Sequence, residues 1–152
     1  MPAPTLSLET GQVREIMSSP VHTLRLDDYL STAQHLFEKN HIHHAVVLEE
    51  RKVFGVVSDR DVLRAVSPFV GNQMMEREQD AKTLRKRVHQ IVSRSLVTIR
   101  PEDTLISAAR KMRTEHVSSL PVVDDTGALL GIVTSRDLIR WIARHAVSEP
   151  RT

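Results

Sequence analysis

Apolar residues at Leu30, Ala33, Leu36 and Phe37 recur at the helical period and predict an amphipathic helix running to about residue 40. The same spacing returns at Leu105, Ala108, Ala109 and Met112 and predicts a second such helix, to about residue 115. An acidic pair opens each helix, Asp27-Asp28 and Glu102-Asp103, where the positive end of the helix dipole favours carboxylates. Before each helix a short helical turn is expected at 13–17 and at 88–92, then an extended piece at 21–25 and at 96–100. After each come two strands rich in Val, Ile and Leu, at 45–48 and 53–57 and again at 120–123 and 129–133. A last helix starts at 58 and at 134, with Val62, Leu63 and Val66 as its apolar positions in one case and Leu138, Ile139 and Ile142 in the other. The turn between the strands reads Glu49-Glu50-Arg51-Lys52 first and Asp124-Asp125-Thr126-Gly127 second, where Gly127 accepts a positive φ.

The two series are copies. At an offset of 75 residues Val13 meets Val88, Ile16 meets Ile91, Thr23 meets Thr98, Asp28 meets Asp103, and Val47 meets Val122. Past Gly127 the offset becomes 76, and Gly55, Val57, Arg60, Asp61 and Arg64 meet Gly131, Val133, Arg136, Asp137 and Arg140. Each copy is a β-α-β-β-α unit with about three strands, too small a sheet to stand alone. Two copies packed about a pseudo-twofold axis give an α+β fold. The expected organisation is a tail at 1–12, a first repeat at 13–66, a charged linker at 67–87, a second repeat at 88–146 and a tail at 147–152. Ser67-Pro68 closes a helix, and the linker continues through MEREQDAKTLRKR, with a helical part exposed to solvent.

Composition narrows the function. Hydrophobic residues make up 40% and charged residues 26% of the 152, as in soluble globular proteins, while aromatics are only 3%. So few rings disfavour single-strand nucleic-acid binding, which stacks bases on aromatics. With no cysteine there is no disulfide framework or thiolate metal site, and a cytoplasmic location is expected. The start MPAPTLSLETG has neither the charged nor the apolar part of a signal peptide, and no apolar run reaches the length of a membrane span. The net charge of +2 weakly admits an anionic partner such as a nucleotide.

Each copy ends its second strand on a repeated phrase, Gly55-Val-Val-Ser-Asp-Arg-Asp61 and Gly131-Ile-Val-Thr-Ser-Arg-Asp137. With Leu120-Pro121-Val122-Val123-Asp124 and the duplicated spacing, the chain from 13 to about 145 resembles the tandem cystathionine-β-synthase (CBS) domain pair, or Bateman module. The resemblance implies a non-enzymatic regulatory module. It implies an adenosine-containing ligand between the repeats, with AMP, ADP or ATP favoured and NAD or S-adenosylmethionine admitted, and no cofactor requirement. It also implies a homodimer and an unidentified regulated protein.

Carried onto this chain, the ribose would fall to Asp61, Asp137, Ser58 and Thr134, since a carboxylate accepts from both ribose hydroxyls. Phosphate would fall to Arg60 and Arg136, with planar bidentate geometry, and to His43 and His44 or Ser118 and Ser119 just before the strand. Adenine would lie near Val21, Thr23, Leu96, Thr98 and Pro121. Copy one carries two His where copy two carries two Ser, and Ala45-Val46 where copy two carries Leu120-Pro121, so unequal sites are expected.

Blander readings stand beside these. Ser-x-x-Asp and Thr-x-x-Asp are also helix-capping signatures, and capping and ligand binding are compatible at one helix start. His41 and His43 would share a strand face, but zinc needs three or four ligands and no metal is expected. Lys82, Arg85, Lys86 and Arg87 could form a nucleic-acid patch, although acidic Glu76, Glu78 and Asp80 beside them suit a solvated helix face with local ion pairs. Trp141 is expected in the core or at a dimer interface. A ligand-free dimeric scaffold and a nucleic-acid-associated protein using the basic linker remain the alternatives.

Overall fold

A computed structural model describes residues 8–92 and 97–145. The described chain divides into two compact units. One, the inner unit, holds residues 21–92; the other, the split unit, holds 8–20 together with 97–145.

The inner unit contains β1 (Thr23–Arg25), α1 (Leu30–Asn40), β2 (His44–Glu49), β3 (Lys52–Ser58), α2 (Asp59–Ala65) and α3 (Glu78–Lys82). β1 runs parallel to β2, and β2 pairs antiparallel with β3, in the order β1-β2-β3. The tight turn between β2 and β3 places Glu50 at φ 47° and Arg51 at φ 72°. One face of α1 supplies Leu30, Ala33 and Phe37 to a core with Val47, Val57 and Val62. Val88, fully buried, belongs to the same core, so the helical turn at Val88–Gln90 completes the inner unit.

The split unit contains α4 (Leu105–Glu115), β4 (Ser119–Val123), β5 (Leu129–Thr134) and α5 (Ser135–His145). Its core joins Leu105, Ala108, Met112, Leu120, Val122, Val133 and Leu138 to Val13, which arrives on the turn at Val13–Glu15. The leading turn of each repeat thus packs in the unit that holds the other repeat's helices and strands. Gly131 shows why β5 has no side chain there: a Cβ would meet the Ser18 carbonyl oxygen at 2.9 Å, where Ser18 exchanges backbone hydrogen bonds with Ile132.

The counterpart of β1 in the split unit is reduced to a single parallel bridge, Ile99 to Val122. Val46 in β2 donates its N–H to the His22 carbonyl, but the matching position in β4 is Pro121, which has no N–H.

Several local expectations need correction. The acidic pairs do not open the helices. Asp28 and Asp103 instead accept the N–H of Arg25 (2.7 Å) and Arg100 (3.0 Å), closing turns that precede caps at Tyr29 and Thr104. Leu63, Ile139 and Ile142 are not core: they are 74%, 64% and 46% exposed, because α2 and α5 bury only the stripe holding Val62 and Leu138. The basic run does not form one helix. α3 ends at Lys82, and Arg87 lies over the Tyr29 ring at 3.9 Å while donating to the Asp27 carbonyl. Among the described residues no helix is long and apolar enough to cross a membrane.

Candidate functional site

Both repeated phrases fold the same way: a strand ends, and the next residues turn into a helix. In the inner unit Ser58 caps α2, its Oγ accepting the Asp61 N–H at 3.1 Å. Asp61 answers, its Oδ2 accepting the Ser58 N–H at 2.8 Å. The capping reading is therefore correct as geometry. It uses one carboxylate oxygen of Asp61, Oδ2, and among the described residues Oδ1 makes no hydrogen bond or ion pair. In the split unit Asp137 Oδ2 accepts both the Thr134 N–H (2.8 Å) and the Thr134 hydroxyl (3.0 Å). Its Oδ1 lies 3.8 Å from the guanidinium of Arg140, one turn on.

The residues before each first strand reach the same junctions. The Asp59 N–H donates to the His43 carbonyl at 2.9 Å, and the Ser135 N–H donates to the Ser118 carbonyl at 2.9 Å. His44 pairs in register with Ser58, and Ser119 with Thr134. Ser58, Arg60, Asp61, His43 and His44 are thus gathered at one junction, and Thr134, Arg136, Asp137, Ser118 and Ser119 at the other. Ser119 is buried at 7% exposure, the one buried polar residue among those described.

The side chains then diverge. His43 Nδ1 meets Asp59 Oδ2 at 2.8 Å. Partial burial pushes the Asp59 carboxyl upward, but the hydrogen bond and charge of His43, the Arg60 N–H and the charge of His44 outweigh it and hold Asp59 below its usual value. Ser135, the counterpart of Asp59, has no such side chain to offer. His41 is not on the strand: it takes the left-handed cap of α1 at φ 52°, so it shares no strand face with His43. His41, His43, Asp59 and Arg60 line a groove of about 410 Å³ together with Phe37, Ile42 and Leu63.

Of the residues expected near adenine, Thr23 lies in β1 opposite Val46, and Val21 stands two residues before it. Leu96 lies outside the described residues. The Thr98 carbonyl accepts from Lys111 Nζ at 2.6 Å, and the Pro121 carbonyl accepts the Ile99 N–H at 3.0 Å. Lys111 was not singled out from the sequence, and Arg140 only as the repeat partner of Arg64. Lys111 replaces Leu36 of the first copy, and that apolar-to-cationic difference was the available signal.

The duplicated junctions can be set against known families. The CBS domain model matches residues 13–68 and 88–144. The chain belongs to the CBS domain family. A CBS domain-containing protein of Dictyostelium discoideum is 33% identical over 140 residues, which cover 91% of this chain and 94% of that one. The solved CBS domain pair of protein MJ0100, in complex with 5'-methylthioadenosine and S-adenosyl-L-methionine, matches with a TM-score of 0.71 at 26% identity, over 88% of this chain and 96% of that one. A structure of CBSX2 in complex with AMP matches with a TM-score of 0.68 at 26% identity, over 88% and 97% of the two chains. The α+β tandem CBS pair inferred from the repeat is the fold, and such pairs are generally regulatory.

Proposed function

We propose that this chain is a non-enzymatic regulatory module that binds an adenosine-containing ligand at its two strand-to-helix junctions, with AMP, ADP or ATP the favoured class. The observation that carries the reading is the division of labour within each carboxylate. One oxygen of Asp61 or Asp137 completes its helix cap, and the other, with Arg140 at 3.8 Å in the case of Asp137, accepts from the two ribose hydroxyls. The adenosyl ligands in the two solved CBS structures support the class of ligand. Arg60 and Arg136 supply cations beside a helix N-terminus, which favours phosphate. The exposed Leu63, Ile139 and Ile142 support a homodimer as the assembled form. Ligand binding regulates a partner protein by favouring one arrangement of the module over another.

A panel of AMP, ADP, ATP, NAD and S-adenosylmethionine in a thermal-shift assay tests this. A ligand at a hundredfold excess over its Kd stabilises by about 2.7 kcal/mol, which raises Tm by several degrees. A selective rise is expected for the adenine nucleotides. No rise with any of the five contradicts the reading and leaves the junctions as helix caps in a ligand-free scaffold.

A further inference from the structure

With no cysteine in the chain, its sulfur chemistry rests on methionine alone. Four of the five methionines lie among the described residues, and they occupy two kinds of environment. Met112 is 7% exposed in the core of the split unit. Met17 packs against the same core, so close to Gly131 that a Cβ there would meet its Sδ at 2.8 Å. Met74 and Met75 are 95% and 56% exposed, stand side by side in the linker and belong to neither core.

A built turn displays this pair. Asn72 Oδ1 accepts the N–H of Met74 at 3.0 Å and of Met75 at 3.2 Å, and the Asn72 carbonyl accepts the N–H of Glu76 at 2.8 Å. Glu76 reaches back to accept the Gly71 N–H at 3.3 Å, where the chain turns at φ 83°. The base of the loop is fastened to α3 and its end: Ser67 Oγ donates to Asp80 Oδ1 at 2.6 Å, and Thr83 Oγ1 accepts the Ser67 N–H at 3.0 Å. Every residue from 71 to 79 is exposed, so backbone and polar side chains order the loop and the two thioethers face solvent. A hydroperoxide attacks a thioether at a sulfur lone pair and needs a solvent path to it. The O–O bond breaks, an S–O bond forms, sulfur is oxidised to the sulfoxide, and hydrogen peroxide is reduced to water. The sulfoxide is polar, which is costly in a core and costs little in water. Met74 and Met75 therefore combine access for the oxidant with a solvated product, whereas Met17 and Met112 offer neither.

We propose that Met74 and Met75 form a reversible oxidation site, at which a hydroperoxide converts the thioethers to sulfoxides without disturbing either core. The site stands independently of the nucleotide reading above. The return step belongs to a methionine sulfoxide reductase with a dithiol as reductant: the sulfoxide oxygen leaves as water and the dithiol becomes a disulfide. The exposed turn admits that enzyme as readily as the oxidant. The full chain is treated with hydrogen peroxide, quenched at intervals, digested and followed by mass spectrometry. Trypsin cuts after Arg64 and Arg77 and releases Met74 with Met75, and it cuts after Arg14 and Arg25 and releases Met17 separately. A glutamate-specific protease releases Met112 within residues 103–115. The Met74–Met75 peptide is expected to gain oxygen about tenfold faster or more than the peptides holding Met17 and Met112, and the gap closes when the chain is unfolded in denaturant. Within the pair Met74, the more exposed, leads Met75. The chain oxidised at this pair alone keeps its native Tm, and the reductase with dithiothreitol returns both residues to methionine. Equal oxidation of all four methionines in the folded chain would overturn the assignment. So would a fall in Tm on oxidation of the pair alone, or a sulfoxide pair that the reductase leaves untouched.

Discussion

The inner and split units are built on one plan and finished differently. Their helices α1 and α4 bury matching positions, Leu30 with Leu105, Ala33 with Ala108 and Phe37 with Met112. Both end in a left-handed His, His41 and His116. Both close a hairpin onto a capped helix. At the junctions the likeness stops. The inner unit leaves Asp61 Oδ1 without a partner among the described residues and ties His43 to Asp59. The split unit sets Arg140 3.8 Å from Asp137 Oδ1 and has Lys111 on the Thr98 carbonyl where the inner unit has Leu36. Duplication preserved what packs and left free to change what faces solvent. A buried position must fit its neighbours at crystal-like density, whereas an exposed one has no such constraint.

That comparison makes a large-effect forecast for the shared plan. Leu30→Ala and Leu105→Ala each empty a fully buried position, and each is expected to cost about 2–5 kcal/mol in denaturant unfolding. Similar costs support equivalent frameworks. A cost confined to one of the two would show that the cores are not equivalent, whatever their sequence match.

The caps should separate the units more finely. Ser58→Ala removes the hydroxyl that accepts the Asp61 N–H and is expected to cost about 1 kcal/mol. Thr134→Ala removes an acceptor for the Asp137 N–H and also the hydroxyl that donates to Asp137, so its cost should be the larger of the two. Thermal unfolding of the pair measures this, and the reverse order would contradict the geometry.

The smallest effect is one of pH, confined to the inner unit. Asp59 is held below its usual value, so its ionised form is favoured in the folded state. A depressed carboxyl contributes stability that is fully present above its unfolded pKa of about 3.9 and is lost as pH falls through the lower folded value. Asp59→Asn should therefore be less stable than the native chain at pH 7, with a deficit that shrinks as pH falls below about 3.9. The difference is small, because both partners of the His43–Asp59 pair are substantially solvated, at 50% and 40% exposure. An Asp59→Asn deficit that persists unchanged at pH 3 would show that the pair does not act through charge.

How much of this was legible in the sequence depends on whether a feature repeats. The 75-residue offset exposes the two β-α-β-β-α copies, and helical periodicity alone identifies the buried positions Leu30, Ala33 and Phe37. The Ser58–Asp61 and Thr134–Asp137 caps were readable because spacing alone specifies a capping box. Long-range pairing was not. Val13 and Val88 read as the openings of their own repeats, yet each is buried with the other repeat's elements, an exchange that no local pattern encodes. Asp28 and Asp103 were misassigned because a carboxylate suits a turn and a helix start equally well. Leu63, Ile139 and Ile142 fit an apolar helical period but fall outside the buried stripe, since periodicity gives a face and not what covers it. The extra turn of α5 was hidden for the opposite reason: it has no copy with which to be compared.

The central claim is that Asp61 and Asp137 each hold a ribose with the oxygen that capping leaves over. Asparagine separates the two roles, since its one carbonyl oxygen can keep the cap while its NH2 group replaces the second oxygen and cannot accept from the ribose hydroxyls. Calorimetric titration of AMP into Asp61→Asn, Asp137→Asn and the double variant is the direct measurement. The account predicts near-native unfolding stability without ligand, a loss of AMP affinity of about tenfold or more in the double variant, and a larger share of that loss from Asp61, whose Oδ1 has no cation within ion-pair distance among the described residues. AMP binding to the double variant with native affinity would contradict it.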